Sequence, residues 1–264
     1  MLHGPPLYLV AFTAALIVAT VASPAGVSGA VLLLPFQVSV LGTPSPSVSP
    51  TNLLYNVVAT PGALFRYWRQ GQTGGGLTRL LIAGTVPGVV VGSVIRVELL
   101  PGPRAFEAVI AVVLVPLGAW LVLRSARPDH DHNARLRLPP AAILGISIVV
   151  GTVGGIYGVG GGSILAPILI ATGRSTADVA PATLASTFLA SVAGVVTFIV
   201  LSQHHHGPIA PAWAVGIALG AGGLAGSYLG ALAQPHLPEI LIRRVLGLLV
   251  IAIGIRYAWL AADL

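Results

Sequence analysis

The residues with the most chemical content are glycines. The stretch Gly154-Gly155-Ile156-Tyr157-Gly158-Val159-Gly160-Gly161-Gly162-Ser163, followed by Ile164-Leu165-Ala166-Pro167, is too glycine-dense for a continuous helix. Each glycine there costs up to about 1 kcal/mol relative to alanine. A chain that unwinds at this point and starts a new helix offers free N–H groups and a positive dipole end, which together make an anion site. Successive glycine N–H groups can also form an anion-cradling nest. Gly158, Gly160, Gly161, Gly162 and Ser163 are therefore candidate ligands for a small anionic substrate. A weaker copy, Gly26-Val27-Ser28-Gly29 leading to Pro35, adds Gly26, Ser28 and Gly29.

Polar residues inside apolar runs form a second set. Asn52 and Asn56 are four residues apart, so on a helix they share one face. Thr183 and Thr187 stand at the matching places in the second half, and Tyr55 and Thr60 match Ser186 and Ser191. Neutral donors suit an oxyanion that must bind and then leave. The competing reading is ordinary hydrogen bonding between helices, worth about 1 kcal/mol or less per contact. Glu98, Glu107, Asp178 and Glu239 all fall near segment ends, so no buried carboxylate relay for protons is visible.

Two other chemistries are open. Gly26-Val27-Ser28-Gly29 fits the GxSG pattern of intramembrane serine proteases, whose nucleophile needs a histidine within reach. His3, His130, His132, His204, His205, His206 and His236 all fall in expected loops or at termini. His204-His205-His206 and Asp129-His130-Asp131-His132 could hold a divalent metal, as in a metal transporter, though the expected topology puts them on opposite sides. The reading adopted assigns no catalytic residue, no metal and no cofactor.

The elements that must hold these residues are set by composition. Hydrophobic residues make up 55% of the 264-residue chain and charged residues only 8%, with a mean hydropathy of +0.93. A soluble domain carries about a quarter charged residues, so most of this surface must face lipid. That excludes a soluble enzyme and a nucleic-acid-binding domain, and makes the bilayer the main partner. There is no Cys, which removes disulfides, thiolate metal sites and Cys nucleophiles. All 13 basic residues are Arg, which removes a Walker A lysine.

Apolar runs cover 7–22, 29–42, 50–66, 78–96, 104–123, 140–157, 163–173, 180–201, 211–231 and 240–261. A full crossing needs about 20 apolar residues, which makes 29–42 and 163–173 short. The runs do not alternate as barrel strands would. The expected fold is all-α, a polytopic helical membrane protein. The first run resembles a signal peptide in Ala22 to Ala25, but its start lacks Arg, and a retained first helix is expected.

The halves repeat. Setting Pro35 on Pro167 places Gly26-Val27-Ser28-Gly29 over Gly158-Val159-Gly160-Gly161; Gly42 then meets Gly173, and Pro50 meets Pro181. Gly88, Gly92 and Ser93 match Gly222, Gly226 and Ser227. The division is 1–123, a polar linker 124–139, and 140–264. With about five segments each, the repeats would be inverted relative to one another. Arg66, Arg69, Arg79, Arg124, Arg127, Arg135, Arg137, Arg174, Arg243 and Arg244 then share one side, against Arg96, Arg104 and Arg256 on the other. The Arg-rich side is cytoplasmic by the positive-inside rule, with both termini and the His204 to His206 loop outside a bacterial plasma membrane. Gly84, Gly88, Gly92, Gly222, Gly226 and Gly230, spaced by four, are read as helix-packing positions.

Gly158-Val159-Gly160-Gly161-Gly162-Ser163 with Leu165 and Pro167 resembles the glycine-rich signature of the TauE/SafE family of sulfite exporters. The copy from Gly26 to Pro35, and Pro50-Thr51-Asn52-Leu53 running to Phe65-Arg66-Tyr67-Trp68-Arg69-Gln70-Gly71, fit that family's duplicated architecture. The first copy departs from it, with Ser28 and Ala30 where the second has Gly160 and Gly162. The resemblance implies export or uptake of a small sulfur oxyanion or organosulfonate such as sulfite, sulfoacetate or thiosulfate. An oligomer is compatible with all of this.

Overall fold

The structure is a computed structural model that describes residues 4–72, 75–99, 138–172, 174–205 and 207–238, with isolated positions 241, 248, 251 and 255. Its regular elements are all helices. In the first half these are α1 (Pro5–Ala22), α2 (Ala30–Ser39), α3 (Val48–Arg69) and α4 (Gly76–Glu98). In the second half they are α5 (Pro140–Tyr157), α6 (Gly162–Ala171), α7 (Thr176–His204) and α8 (Trp213–Ala233). The expected segment 104–123, nearly all of the linker 124–139 and most of 240–261 lie outside the described residues.

Among the described residues, five helices are long and apolar enough to cross a membrane: α1, α4, α5, α7 and α8, with α1 and α8 extended by short 3-10 turns. The expected span at 50–66 differs. α3 has 22 residues but carries Thr51, Asn52, Asn56, Thr60, Arg66 and Arg69, and its apolarity falls below that of the others. Its place explains this, because α3 packs against both α7 and α8 and buries that polar face in protein. The run at 180–201 is also longer than expected: α7 spans 29 residues.

The two short runs are short helices. α2 and α6 have 10 residues each, about 15 Å at the α-helical rise and half of a roughly 30 Å hydrocarbon core. Both contain a proline at the same place, Pro35 and Pro167. Each follows a longer helix that stops on a left-handed glycine. Gly26 has φ 72° and ψ 17°, and Gly158 has φ 74° and ψ 23°. Glycine takes this conformation without the Cβ penalty that other residues meet.

Glycine stripes set the packing. A Cβ at Gly84 would meet Ser147, one at Gly88 would meet Ile148 and Thr152, and one at Gly92 would meet Thr152 and Ile156. In the same way Gly222 abuts Phe12, Gly226 abuts Leu16, and Gly230 abuts Thr20. These are backbone-to-backbone approaches of the kind small residues permit. Residue numbers rise together on both members of each pair, so α4 runs parallel to α5, and α8 runs parallel to α1. Gly216 against Leu54 and Gly220 against Val58 make α3 parallel to α8. Thr85 with Ser186 and Val89 with Gly194 make α4 parallel to α7. Between α3 and α7 the order reverses. Leu53 meets Gly194, whereas Ala63 and Tyr67 cluster with Ala180 and Leu184.

Two groupings result. α1, α2 and α3 pack with α8, and α5, α6 and α7 pack with α4. The fourth helix of each sequence half thus sits in the other half's group, and the groups meet along a seam between α3 and α7.

Arg66, Arg69, Arg79 and Arg174 gather at the end where α3 finishes and α4 and α7 begin. Arg96, expected at the end of the run 78–96 on the Arg-poor side, is drawn into the protein. It is 0% exposed, because the four-residue spacing of Gly84, Gly88 and Gly92 carries it onto the same buried face of α4.

Candidate functional site

The two glycine breaks meet at the seam. The Ser28 N–H donates to Ser163 Oγ at 2.9 Å, joining the start of α2 to the start of α6. Thr183 Oγ1 on α7 donates to the Gly26 carbonyl at 3.0 Å. Asn56 Nδ2 on α3 donates to the Gly158 carbonyl at 3.5 Å. Each break is therefore touched by the long helix of the opposite half. Gly26, Ser28, Gly29, Asn52, Asn56, Gly158, Gly160, Gly161, Gly162, Ser163, Thr183 and Thr187 all fall on the breaks or on the faces of α3 and α7 beside them.

The first break is closed by its own side chains. Ser28 Oγ donates to Asn56 Oδ1 and accepts the Ala30 N–H at 3.2 Å, which satisfies one of the free donors at the start of α2. Asn52 Nδ2 donates to the Ala30 carbonyl at 3.0 Å, and Gln37 Nε2 donates to Asn52 Oδ1 at 2.8 Å. Tyr55 Oη stands 2.5 Å from where a Gly29 Cβ would be. Asn52, Asn56 and Tyr55 therefore hold the first break in shape. Nothing in this set resembles a protease dyad, since the partner of the Ser28 hydroxyl is an amide.

The second break keeps donors in hand. Gly158, Gly160 and Gly161 all have positive φ, at 74°, 76° and 79°. The Val159 N–H donates to Gly154 O at 2.8 Å, and the Gly162 N–H donates to Gly160 O at 3.0 Å. The N–H groups of Gly161 and Ser163, at the N-terminus of α6, have no backbone acceptor among the described residues. Two hydroxyls of α7 lie beside the same turn. A Cβ at Gly160 would lie 2.6 Å from Ser191 Oγ, and one at Gly162 would meet Thr187 Oγ1. Thr187 and Ser191 are both 0% exposed, and neither hydroxyl has a hydrogen-bond partner among the described residues. Helical Ser and Thr commonly bond back to the carbonyl four residues earlier, as Thr183, Thr85 and Ser147 do here. Thr187 and Ser191 do not.

Contacts around the second break are tight. The same positions at Gly160 and Gly162 that meet these hydroxyls also meet α7 backbone. α7 must therefore move away from the break before an anion can enter between them.

Sequence reasoning passed over four residues that complete the surroundings. Ser191 was placed only as the counterpart of Thr60. Gln37 is 0% exposed and supports Asn52. Ser49 Oγ donates to the Ile156 carbonyl at 2.8 Å across the seam. Arg96 Nε donates to that same Ser49 Oγ at 3.3 Å. The glycine stripe of α4 carried the signal for Arg96, which lies one step further along it.

The metal-binding loops gain no support. Among the described residues no three His, Asp or Glu side chains come together. His205 Nε2 pairs with Glu98 Oε1 at 2.9 Å, while His130, His132 and His206 lie outside the described residues.

The family model described as "Sulfite exporter TauE/SafE" matches residues 11–257. The chain belongs to the TauE/SafE family. Two relatives from Xylella fastidiosa, each named "Probable membrane transporter protein", align over 248 residues. The strain Temecula1 protein is 26% identical, with 89% of this chain and 88% of the relative covered. The strain 9a5c protein is 25% identical over the same shares. No solved structure matches the chain. The chain is thus a multi-pass TauE/SafE-family membrane transporter.

Proposed function

We propose that this TauE/SafE transporter moves a small sulfur oxyanion or organosulfonate, with sulfite or sulfoacetate as the leading substrates, and binds it at the second glycine break. The observation that carries the reading is the pair of fully buried hydroxyls of Thr187 and Ser191, unpartnered among the described residues, beside the Gly160 to Ser163 turn. An unsatisfied buried hydroxyl costs about 1–3 kcal/mol, so a fold that retains two beside one helix N-terminus gives them a ligand. Neutral donors and a half-helix dipole match an anion that is bound briefly at mid-membrane.

The transporter works as two inverted repeats. The counterparts α1 and α5, α3 and α7, and α4 and α8 each run in opposite directions, which supports that arrangement. The Arg-rich end of the bundle is cytoplasmic, and Pro5 and His205 lie at the outer end. Export is the direction that the family implies.

Proteoliposomes loaded with radiolabelled sulfite, sulfoacetate or Ni²⁺ test the function directly. The expected outcome is flux of one of the two anions and none of Ni²⁺, with the flux lost in Thr187→Val together with Ser191→Ala. Metal flux, or full anion flux in that double variant, would overturn the reading. Single Cys substitutions in this Cys-free chain check orientation: position 205 should label from outside in intact cells, and position 69 only after permeabilisation.

A further inference from the structure

Three seryl and threonyl hydroxyls in the group of α4, α5, α6 and α7 lack a partner among the described residues. Each has a bonded counterpart in the other group. Thr187 matches Asn56, which accepts the Ser28 hydroxyl. Ser191 matches Thr60, which donates to the Asn56 carbonyl. The third is Ser93 on α4, which is 0% exposed. Its match on α8, Ser227, donates to the Ala59 carbonyl at 2.7 Å. Ser93 makes no bond back along its helix, whereas Thr85 on the same helix donates to the Leu81 carbonyl at 2.9 Å. Thr187 and Ser191 belong to the proposed anion site, but nothing so far uses Ser93.

Helix register shows where Ser93 stands. Thr85, Val89 and Ser93 are spaced by four and share one face of α4. That face borders the second break, because a Cβ at Gly161 would meet the Thr85 methyl at 3.3 Å. It also borders α7, through Thr85 with Ser186 at 2.7 Å and Val89 with Gly194. The two helices run parallel. Ser191 lies three residues before Gly194, and Ser93 lies four residues after Val89, so the Val89 to Gly194 contact separates the two hydroxyls. That contact is apolar and has a third member. A Cβ at Gly194 would lie 2.8 Å from Val89 Cγ1 and 2.6 Å from Leu53 Cδ1. Leu53 is 0% exposed and reaches this place from α3, across the seam.

An apolar constriction holds back a charged solute until it widens, and an anion that has shed its water beyond it needs a donor. We propose that Leu53, Val89 and Gly194 form an apolar gate, and that Ser93 is the first donor an anion meets on its far side. Separation of the two groups at the seam withdraws Leu53. The anion then passes from Ser191 to Ser93, toward the end of the bundle where α4 and α7 finish. The inference rests on the second break being the anion site.

The test uses the full chain, with radiolabelled sulfite flux in proteoliposomes and the shift in melting temperature that sulfite produces in detergent. Ser93→Ala should keep the wild-type melting temperature and the wild-type sulfite shift, because binding at the break is untouched. Its turnover at saturating sulfite should fall roughly tenfold or more, the size expected for one lost hydrogen bond to a charged group. Ser227→Ala should do the opposite, lowering the melting temperature while turnover per folded molecule stays within about twofold of wild type. Leu53→Ala should raise turnover as well as lower the melting temperature, whereas a purely structural leucine would lower only the latter. Should Leu53→Ala not fold, the milder Leu53→Val carries the same expectation. Wild-type turnover in Ser93→Ala, a lower melting temperature for it without sulfite, or no gain in turnover in the folded Leu53 variant overturns the proposal. The variant carrying Thr187→Val and Ser191→Ala separates the two readings. If it loses the sulfite shift while Ser93→Ala turns over normally, the gate falls and the site reading stands. If it keeps both shift and flux, the site reading falls and takes this inference with it.

Discussion

The two glycine breaks are built on the same backbone plan and finished differently. Gly26 and Gly158 end their helices with nearly the same left-handed geometry, and each is followed by a 10-residue helix containing a proline. In the first break, a serine stands where the second has a glycine. Ser28 fills that space with a hydroxyl that accepts the Ala30 N–H and bonds Asn56. In the second break Gly160 has no side chain and α7 packs directly against it, while the hydroxyls on that side, Thr187 and Ser191, are left without partners among the described residues. Two breaks of matching backbone thus differ as a braced copy and an open copy, the latter open in its hydrogen bonding. One side chain at one position is enough to make that division, because a hydroxyl beside a helix start satisfies the very N–H groups that an anion would otherwise take.

The largest effect that would sharpen this comparison is loss of transport without loss of fold. Thr187→Val with Ser191→Ala removes both open hydroxyls and keeps the packing volume nearly unchanged. At about 1.5–3 kcal/mol per hydrogen bond to a charged group, flux at low substrate should fall by a factor on the order of 100 or more per folded molecule. Flux assays normalised to detergent-stable protein read this. A loss below tenfold would mean that the open copy does not hold the anion.

The next effect, on stability, tests the shared plan. Gly26→Ala and Gly158→Ala force a Cβ into left-handed backbone, at a cost of about 1–2 kcal/mol each. Each Cβ also meets backbone across the seam, at Ala180 and Ser49, which adds roughly 1–3 kcal/mol of overpacking. The two variants should therefore lose similar amounts of thermal stability in detergent. A large inequality would show that one break carries the fold and the other does not.

How much of this was legible in the sequence follows from the physics at each position. The breaks were readable, because glycine runs and the shortness of 29–42 and 163–173 leave few other arrangements in a bilayer. The packing stripes were readable from spacing by four. The exchange of α4 and α8 between the halves was not, since apolar faces toward lipid and toward protein look alike in a chain with 55% hydrophobic residues. The role of the polar stripe was only half readable. Asn56 and Thr187 sit at similar places beside their breaks, but whether each is satisfied depends on side chains such as Ser28 that arrive from other segments. The burial of Arg96 was not read, because an arginine at the end of an apolar run looks solvated until its register with Gly92 is followed.

The smallest effect is the most discriminating, because its sign differs between the two copies. Ser28→Ala takes a donor from Asn56 and an acceptor from the Ala30 N–H, leaving buried polar atoms unpaired. It should lower stability by about 1–3 kcal/mol, with flux per folded molecule within about twofold of wild type. Thr187→Val removes a buried hydroxyl that has no hydrogen-bond partner among the described residues. The valine methyl replaces the hydroxyl in place, so no cavity opens and a desolvation cost disappears, and stability should rise by up to about 1 kcal/mol. Thermal unfolding of the two single variants in the same detergent, without substrate, gives the comparison. A Thr187→Val variant less stable than wild type would mean that its hydroxyl already has a structural partner, and the open copy would then be no more open than the braced one.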